Sequence, residues 1–276
     1  MSAITSAWIQ AKADIRVNLV GFTILNHIIA PAIFVIATIL MIRNTDPSYT
    51  PIIIGSLYSG IASYSAYAIF LIFSECYTDR LSGNMVRIRT LPNGVRQWMI
   101  GKLIFCEILF LDITILALLA ATIFIPQVQF SVSLSVGILA VVGFGILVMT
   151  PYGFMVGVLI RSVFGFLVVM AVTGVLFIFT SGFVPFDALP EFTSYMSVIS
   201  PFFWLGYAGY TLQASAGVGP FGVFNGMSPI VVFGVLALWG VVGWAIAPKV
   251  VQIMMRKETI GRLSQHRQKT RELSGL

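Results

Sequence analysis

The sequence predicts an all-α polytopic membrane protein, and three observations predict it. Of 276 residues, 58% are hydrophobic and only 9% are charged, against roughly 25% charged in soluble domains. Six apolar runs can each cross a hydrocarbon core about 30 Å thick, which takes about 20 helical residues. The Lys and Arg residues fall almost entirely into alternate connections between those runs. Such a composition excludes a soluble enzyme, a disordered chain and an ordinary nucleic-acid binder, although the net charge is +6 and the pI near 9.5. Cysteine numbers only 2, too few for a disulfide framework.

Residues 3–20 predict a helix lying along the membrane surface. Ile4, Trp8, Ala11, Ile15 and Leu19 recur at steps of three or four, while Gln10, Lys12, Asp14 and Arg16 fall off that stripe. Trp8 is expected at headgroup depth. No small-residue cleavage site follows before Arg43, so the segment reads as a retained anchor rather than a signal peptide.

Six spans follow, at 22–42, 51–73, 103–125, 130–160, 163–186 and 229–251. They are helices rather than barrel strands because they lack period-two alternation. Pro31 lies inside the first, and Pro151 is expected to break the fourth. Only Arg161 and Ser162 separate the fourth from the fifth, a tight hairpin, since the combined run is too long for one crossing.

With the N-terminus in the cytosol, every base of the 16 except Arg43 falls on the inner side. Both Cys76 and Cys106 then lie near the cytosolic face, where thiols stay reduced. Two connections stand out by length. The inner one, 74–102, reads as a short helix across the inner face, with Met85, Val86 and Ile88 on its apolar side and Arg87 and Arg89 on its basic side. Leu91-Pro92 ends it, because a residue before proline is driven out of the helical region, and Asn93-Gly94 makes a turn. The outer one, 187–228, is rich in Phe, Tyr and Trp and punctuated by Pro190 and Pro201. It reads as a pair of short helices dipping into the outer interface. The tail 252–276 is basic and polar, able to meet acidic lipid headgroups.

Catalytic motifs are absent from the sequence. The one Gly-Lys pair, Gly101-Lys102, is followed by Leu103, with Arg96 where a phosphate-binding loop needs its first glycine. His27 and His266 are too far apart for a metal motif, and no nucleophile elbow appears. The energy for any transport must therefore come from elsewhere.

The run 79–92, DRLSGNMVRIRTLP, resembles the type 2 ABC transporter permeases, especially antibiotic-resistance exporters of the daunorubicin kind. A second block is similar too: SGFVPFDALPEF at 181–192 and ISPFFW at 199–204. Ser200 stands where that family commonly has Asn, and Tyr207 and Tyr210 occupy the region of an arginine often found there. The resemblance covers nearly the whole chain. It implies a single permease domain over 1–276 in the type 2 ABC permease fold, in the plasma (inner) membrane. It also implies a homodimer, or a pair with a second permease subunit, resting on two copies of an ATPase subunit. That subunit would bind ATP and Mg; this chain carries no cofactor. The inner loop would be the coupling helix, with Glu75, Asp79, Arg80, Arg87, Arg89 and Pro92 in contact with the ATPase.

The path for substrate is read from polar and aromatic faces. Ser56, Gly60, Ser63, Tyr67, Phe70 and Ser74 share one face of the second span, and Gly55, Ser59 and Ser63 make a small-residue ladder that also suits helix packing. The fifth span brings Thr173, Phe177 and Thr180. Glu107 and Asp112 are acids inside the third span, functional candidates because their burial is costly. Glu107, about one turn inside, is expected to snorkel or to pair with Lys102 or Arg161. Asp112 has three readings: a structural hydrogen bond to a neighbouring helix, contact with a cationic substrate, or a protonated carboxyl. His27 and Asn26 read as helix-bonded polar groups. The expectation is an exporter of hydrophobic or amphipathic compounds. Its rivals are export of lipid-linked glycans, a proton-coupled carrier using Glu107 and Asp112, and a non-transporting assembly or immunity protein.

Overall fold

Helices supply all the regular structure of the described residues. The computed structural model describes residues 3–19, 24–129, 131–160, 162–180, 191–213, 221–224 and 226–257. In order, α1 is Ala3–Leu19, α2 Ile24–Asn44, α3 Thr50–Ser63, α4 Ala68–Ser82, α5 Asn84–Thr90 and α6 Gly94–Phe124. Then come α7 Val132–Leu159, α8 Val163–Thr180, α9 Glu191–Ile199, α10 Pro201–Thr211 and α11 Pro229–Arg256. The block 181–190, Arg161 and the tail from residue 258 lie outside the described residues.

Five helical segments are long and apolar enough to cross a membrane: His27–Asn44, Pro47–Ser82, Gly94–Phe124, Val132–Leu159 and Pro229–Arg256. The second joins α3 to α4 through a 3₁₀ turn at Tyr64–Tyr67. The described apolar stretch of α8, Phe164–Phe177, is shorter than these. The all-α polytopic class therefore stands.

The inner connection is shorter than expected, because helices invade it from both sides. Helix α4 runs on to Ser82 and stops at Gly83, whose φ of 85° is the left-handed C-terminal position that glycine takes without strain. Helix α6 begins at Gly94, behind Leu91 in extended backbone (ψ 141°) before Pro92 and Asn93 at φ 54°. Only α5 and its flanking turns remain between them.

Helix α7 runs straight through Pro151, correcting the expected break. Proline lacks the N–H that Leu147 O, four residues back, would accept. Trp244 Nε1 of α11 supplies that bond instead, at 2.8 Å. Nearby, Tyr152 Oη donates to Trp239 O at 2.6 Å. The α7–α11 contact is thus stitched by side chains where α7 lacks its own ladder.

Small residues set the other close contacts. On α7, Gly153 and Gly157 lie so near α4 that added Cβ atoms would stand 2.8 Å from Ile72 Cβ and 2.7 Å from Cys76 Cβ. The small face of α3 packs on α10: a Cβ on Gly55 would meet the Tyr210 ring, and one on Gly209 would meet Ala62 and the Tyr58 carbonyl. Every residue of α10 from Phe202 to Tyr210 is buried, so this element is a core helix of the chain. Ser200 caps it by accepting from Phe202 N at 3.3 Å. Asn and Ser are comparable N-caps, which explains physically how Ser200 replaces the Asn expected there.

Candidate translocation cavity and coupling elements

Four helices meet around a buried lysine. Lys102 of α6 is 2% exposed, and its Nζ lies 2.6 Å from Glu75, 3.0 Å from Asp14 and 3.5 Å from Asp79. Asp79 also accepts from Trp98 Nε1 at 2.8 Å and from Asn84 Nδ2 at 3.0 Å. A buried ammonium is tolerable only when paired in this way. The cluster ties α1, α4 and α6 to the start of α5.

This placement revises the amphipathic reading of α1. Its seam against the protein is Ala7 and Ala11, both fully buried, with Gln10 and Asp14 beside them. A Cβ on Gly101 of α6 would stand 3.0 Å from Ala7 O, so the two helices touch backbone to backbone. Ile4 and Trp8, expected on the membrane face, are exposed at 70% and 48%. Ala11 belongs to the protein seam, and Asp14 faces inward because Lys102 draws it there. Burial raises the Asp14 carboxyl above its usual range, and the nearby Lys102 ammonium works against that rise.

Two arginines fasten the other helix ends. Arg80, buried at 3% exposure, donates to Val158 O at 2.8 Å and to Ile160 O, closing the last turn of α7. Arg89 donates to Arg256 O at 3.0 Å and Met255 O at 3.4 Å, capping the C-terminus of α11. Arg87, Leu91, Pro92 and Arg96 are exposed around the α5 tip, whereas Met85 is buried beneath it.

Next to this cluster lies a cavity of about 570 Å³ between α2, the α3–α4 segment, α6 and α8. Its lining on α4 ends at Ser74, one residue before Glu75. The wall is apolar and aromatic. Tyr64 and Tyr67 stack with ring centres 5.5 Å apart, as a 3₁₀ turn eclipses residues i and i+3. Tyr64 also meets Phe34 and Phe110, while Tyr67, Phe70, Phe73 and Phe166 continue the chain of rings along α4 to α8. Two wall hydroxyls are engaged within their own helices: Thr38 donates to Phe34 O and Ser56 to Ile52 O.

The family described as ABC-2 family transporter protein matches residues 2–248. The chain belongs to this family. It is a multi-pass membrane permease, a transporter component rather than a catalytic subunit. No curated protein matches it.

Within this ABC-2 permease the sequence-derived path residues divide. Tyr67, Phe70 and Phe177 line the cavity, together with Ser56 and Ser74. Ser63 and Thr173 are buried and do not line it. Asp112 also stands outside the wall; its carboxylate meets His27 Nδ1 at 2.8 Å across the α2–α6 contact. Of its three readings, the structure realises the bond to a neighbouring helix. Glu107 faces Gly143 of α7, and the expected Lys102 partner is taken by the three acids of the cluster. The inner-loop residues divide as well: Glu75, Asp79 and Arg80 bind inside the chain, Arg89 grips α11, and Arg87 and Pro92 face outward. Sequence reasoning missed Leu91, 53% exposed at the α5 tip. An apolar residue beside Pro92 in a turn expected at the cytosolic face was the signal available.

Proposed function

We propose that this permease is the membrane subunit of an ATP-driven exporter of hydrophobic or amphipathic compounds. The observation that carries the reading is the aromatic cavity whose wall on α4 runs directly into the Lys102 cluster. An apolar cavity of this size suits a small amphipathic molecule entering from the membrane. ATP and Mg would be held by a separate ATPase subunit, which docks on the exposed α5 tip at Arg87, Leu91, Pro92 and Arg96. Two permease subunits and two ATPase subunits complete the assembly in the plasma membrane, with both termini cytosolic.

Movement of α5 reaches the cavity by a short route. Asp79 and Glu75 fix α5 and α4 to Lys102, so a pull on the tip moves α4 as a lever against α1 and α6. The 3₁₀ turn at Tyr64–Tyr67 lies within the same segment and at the cavity wall, where a local change of helix pitch re-aims two rings.

The test is purification of the full chain with its ATPase from native membranes, then ATPase assay in lipid with hydrophobic compounds. Arg87→Glu is expected to abolish compound-stimulated hydrolysis while leaving the thermal midpoint of the permease unchanged, since Arg87 projects outward. Compound transport by the chain without any ATPase, driven by a proton gradient, would replace this reading with the proton-coupled carrier.

A further inference from the structure

Among the described residues, one ionisable group other than tyrosine lines the cavity, and the exporter reading leaves it without a role. His27 is 6% exposed and forms part of the wall. Its Nδ1 lies 2.8 Å from Asp112 Oδ2, and Nε2 has no hydrogen-bond partner among the described residues. In a neutral imidazole one nitrogen carries the proton and the other a lone pair. A carboxylate at Nδ1 fixes the proton there and leaves Nε2 as the acceptor. The pair then carries one negative charge, and among the described residues no Lys or Arg lines the cavity to balance it. Asp112 is half exposed on the middle of a membrane-spanning helix, and a charge at that depth calls for a partner. Phe34, Tyr64 and Phe110 line the same cavity, and aromatic faces attract cations.

A hydrogen-bond acceptor, an unbalanced negative charge and aromatic faces all select the same ligand chemistry. We propose that the His27–Asp112 pair is a headgroup subsite for lipophilic amines in their protonated form. Nε2 of His27 accepts from the ammonium N–H, and Asp112 positions the ring and supplies the counter-charge. The aromatic wall receives the hydrocarbon body. This rests on the cavity being the substrate path, and it names the substrate class of that path.

The experiment uses the full-length permease in nanodiscs of uncharged lipid, with empty nanodiscs as the partition control. The probes are a dansyl-labelled long-chain primary amine and its N-acetylated, uncharged twin, which share one hydrophobic body. The amine is expected to bind about tenfold more tightly, as a charge-assisted hydrogen bond implies. Asp112→Asn keeps a hydrogen bond to the ring but removes the charge. It is expected to erase the preference while the acetylated probe binds as to wild type. His27→Phe should do the same. Equal binding of the two probes to wild type, or a preference surviving Asp112→Asn, overturns the subsite and leaves the cavity reading intact. If wild type binds neither probe above the control, the cavity reading falls and the subsite with it.

Discussion

Lys102 carries much of the inner end of the molecule, because one buried ammonium satisfies acids from two other helices. Lys102→Ala would leave Asp14, Glu75 and Asp79 facing one another without a cation. Removing one partner of a buried ion pair costs about 3–5 kcal/mol, so a large drop in thermal midpoint in detergent is expected. An unchanged midpoint would show that the acids are solvated and the cluster is incidental. The three acids are not equivalent. Burial raises the Asp14 carboxyl above its unfolded range, so its ionised form opposes folding. That penalty is absent below the ordinary carboxylate range and fully present above the raised value. Asp14→Asn is therefore expected to hold or raise the midpoint at neutral pH, whereas Glu75→Gln, which gives up the shortest contact to Lys102, lowers it. The Asp14–Lys102 partnership joins residues far apart in the chain, and no periodicity of α1 shows it. Asp14 reads there as one more polar residue on a solvent face. Asp112 was legible as a costly intramembrane acid, but its partner His27 was not, for the same reason.

Among the elements, α7 shows how a proline is accommodated inside a membrane helix. Leu147 O has lost its usual donor, and Trp244 of α11 replaces it. Trp244→Phe would keep most of the ring but leave that carbonyl unpaired, which costs about 1–3 kcal/mol. In Pro151→Ala the helix supplies its own N–H, so the same Trp244→Phe change should be milder by about 1 kcal/mol. A double-mutant cycle on thermal or denaturant unfolding measures the difference, and simple additivity would sever the link between Trp244 and Pro151. Proline alone predicted a break because the compensating donor sits on another helix. The same limit applies to α10. Its aromatic sequence suits an interface, yet Gly209 and the small face of α3 draw it into the core. By contrast, the stop before Pro92 and the Gly83 turn are local backbone effects, so the sequence shows them directly.

At the scale of the whole molecule, the basic segments converge at one end. Lys102 with Asp14, Arg80 with the end of α7, and Arg89 with the end of α11 bring α1, α4, α5, α6, α7 and α11 together there. Hydropathy and the placement of bases made the polytopic class legible, since both depend on composition along the chain rather than on packing. The cavity was only half legible. A helical face identified Tyr67 and Phe70, but which wall closes over them depends on how α2, α6 and α8 assemble. The convergence of bases leads to a topology that vesicles can test. Asp46 and Thr90 are both exposed, and the single crossing through α3 and α4 separates them. Cys76 and Cys106 are both fully buried, so they give little background with a membrane-impermeant maleimide. In right-side-out vesicles Asp46→Cys should label and Thr90→Cys should not; inside-out vesicles should reverse the result. The positive-inside bias requires that order, because the hydropathy pattern of the sequence predicts nearly all the bases on the Thr90 side. Labelling of Thr90→Cys from outside would invert the chain and remove the α5 tip from any cytosolic ATPase. Labelling of both sites from one face would mean that α3 and α4 do not cross the membrane.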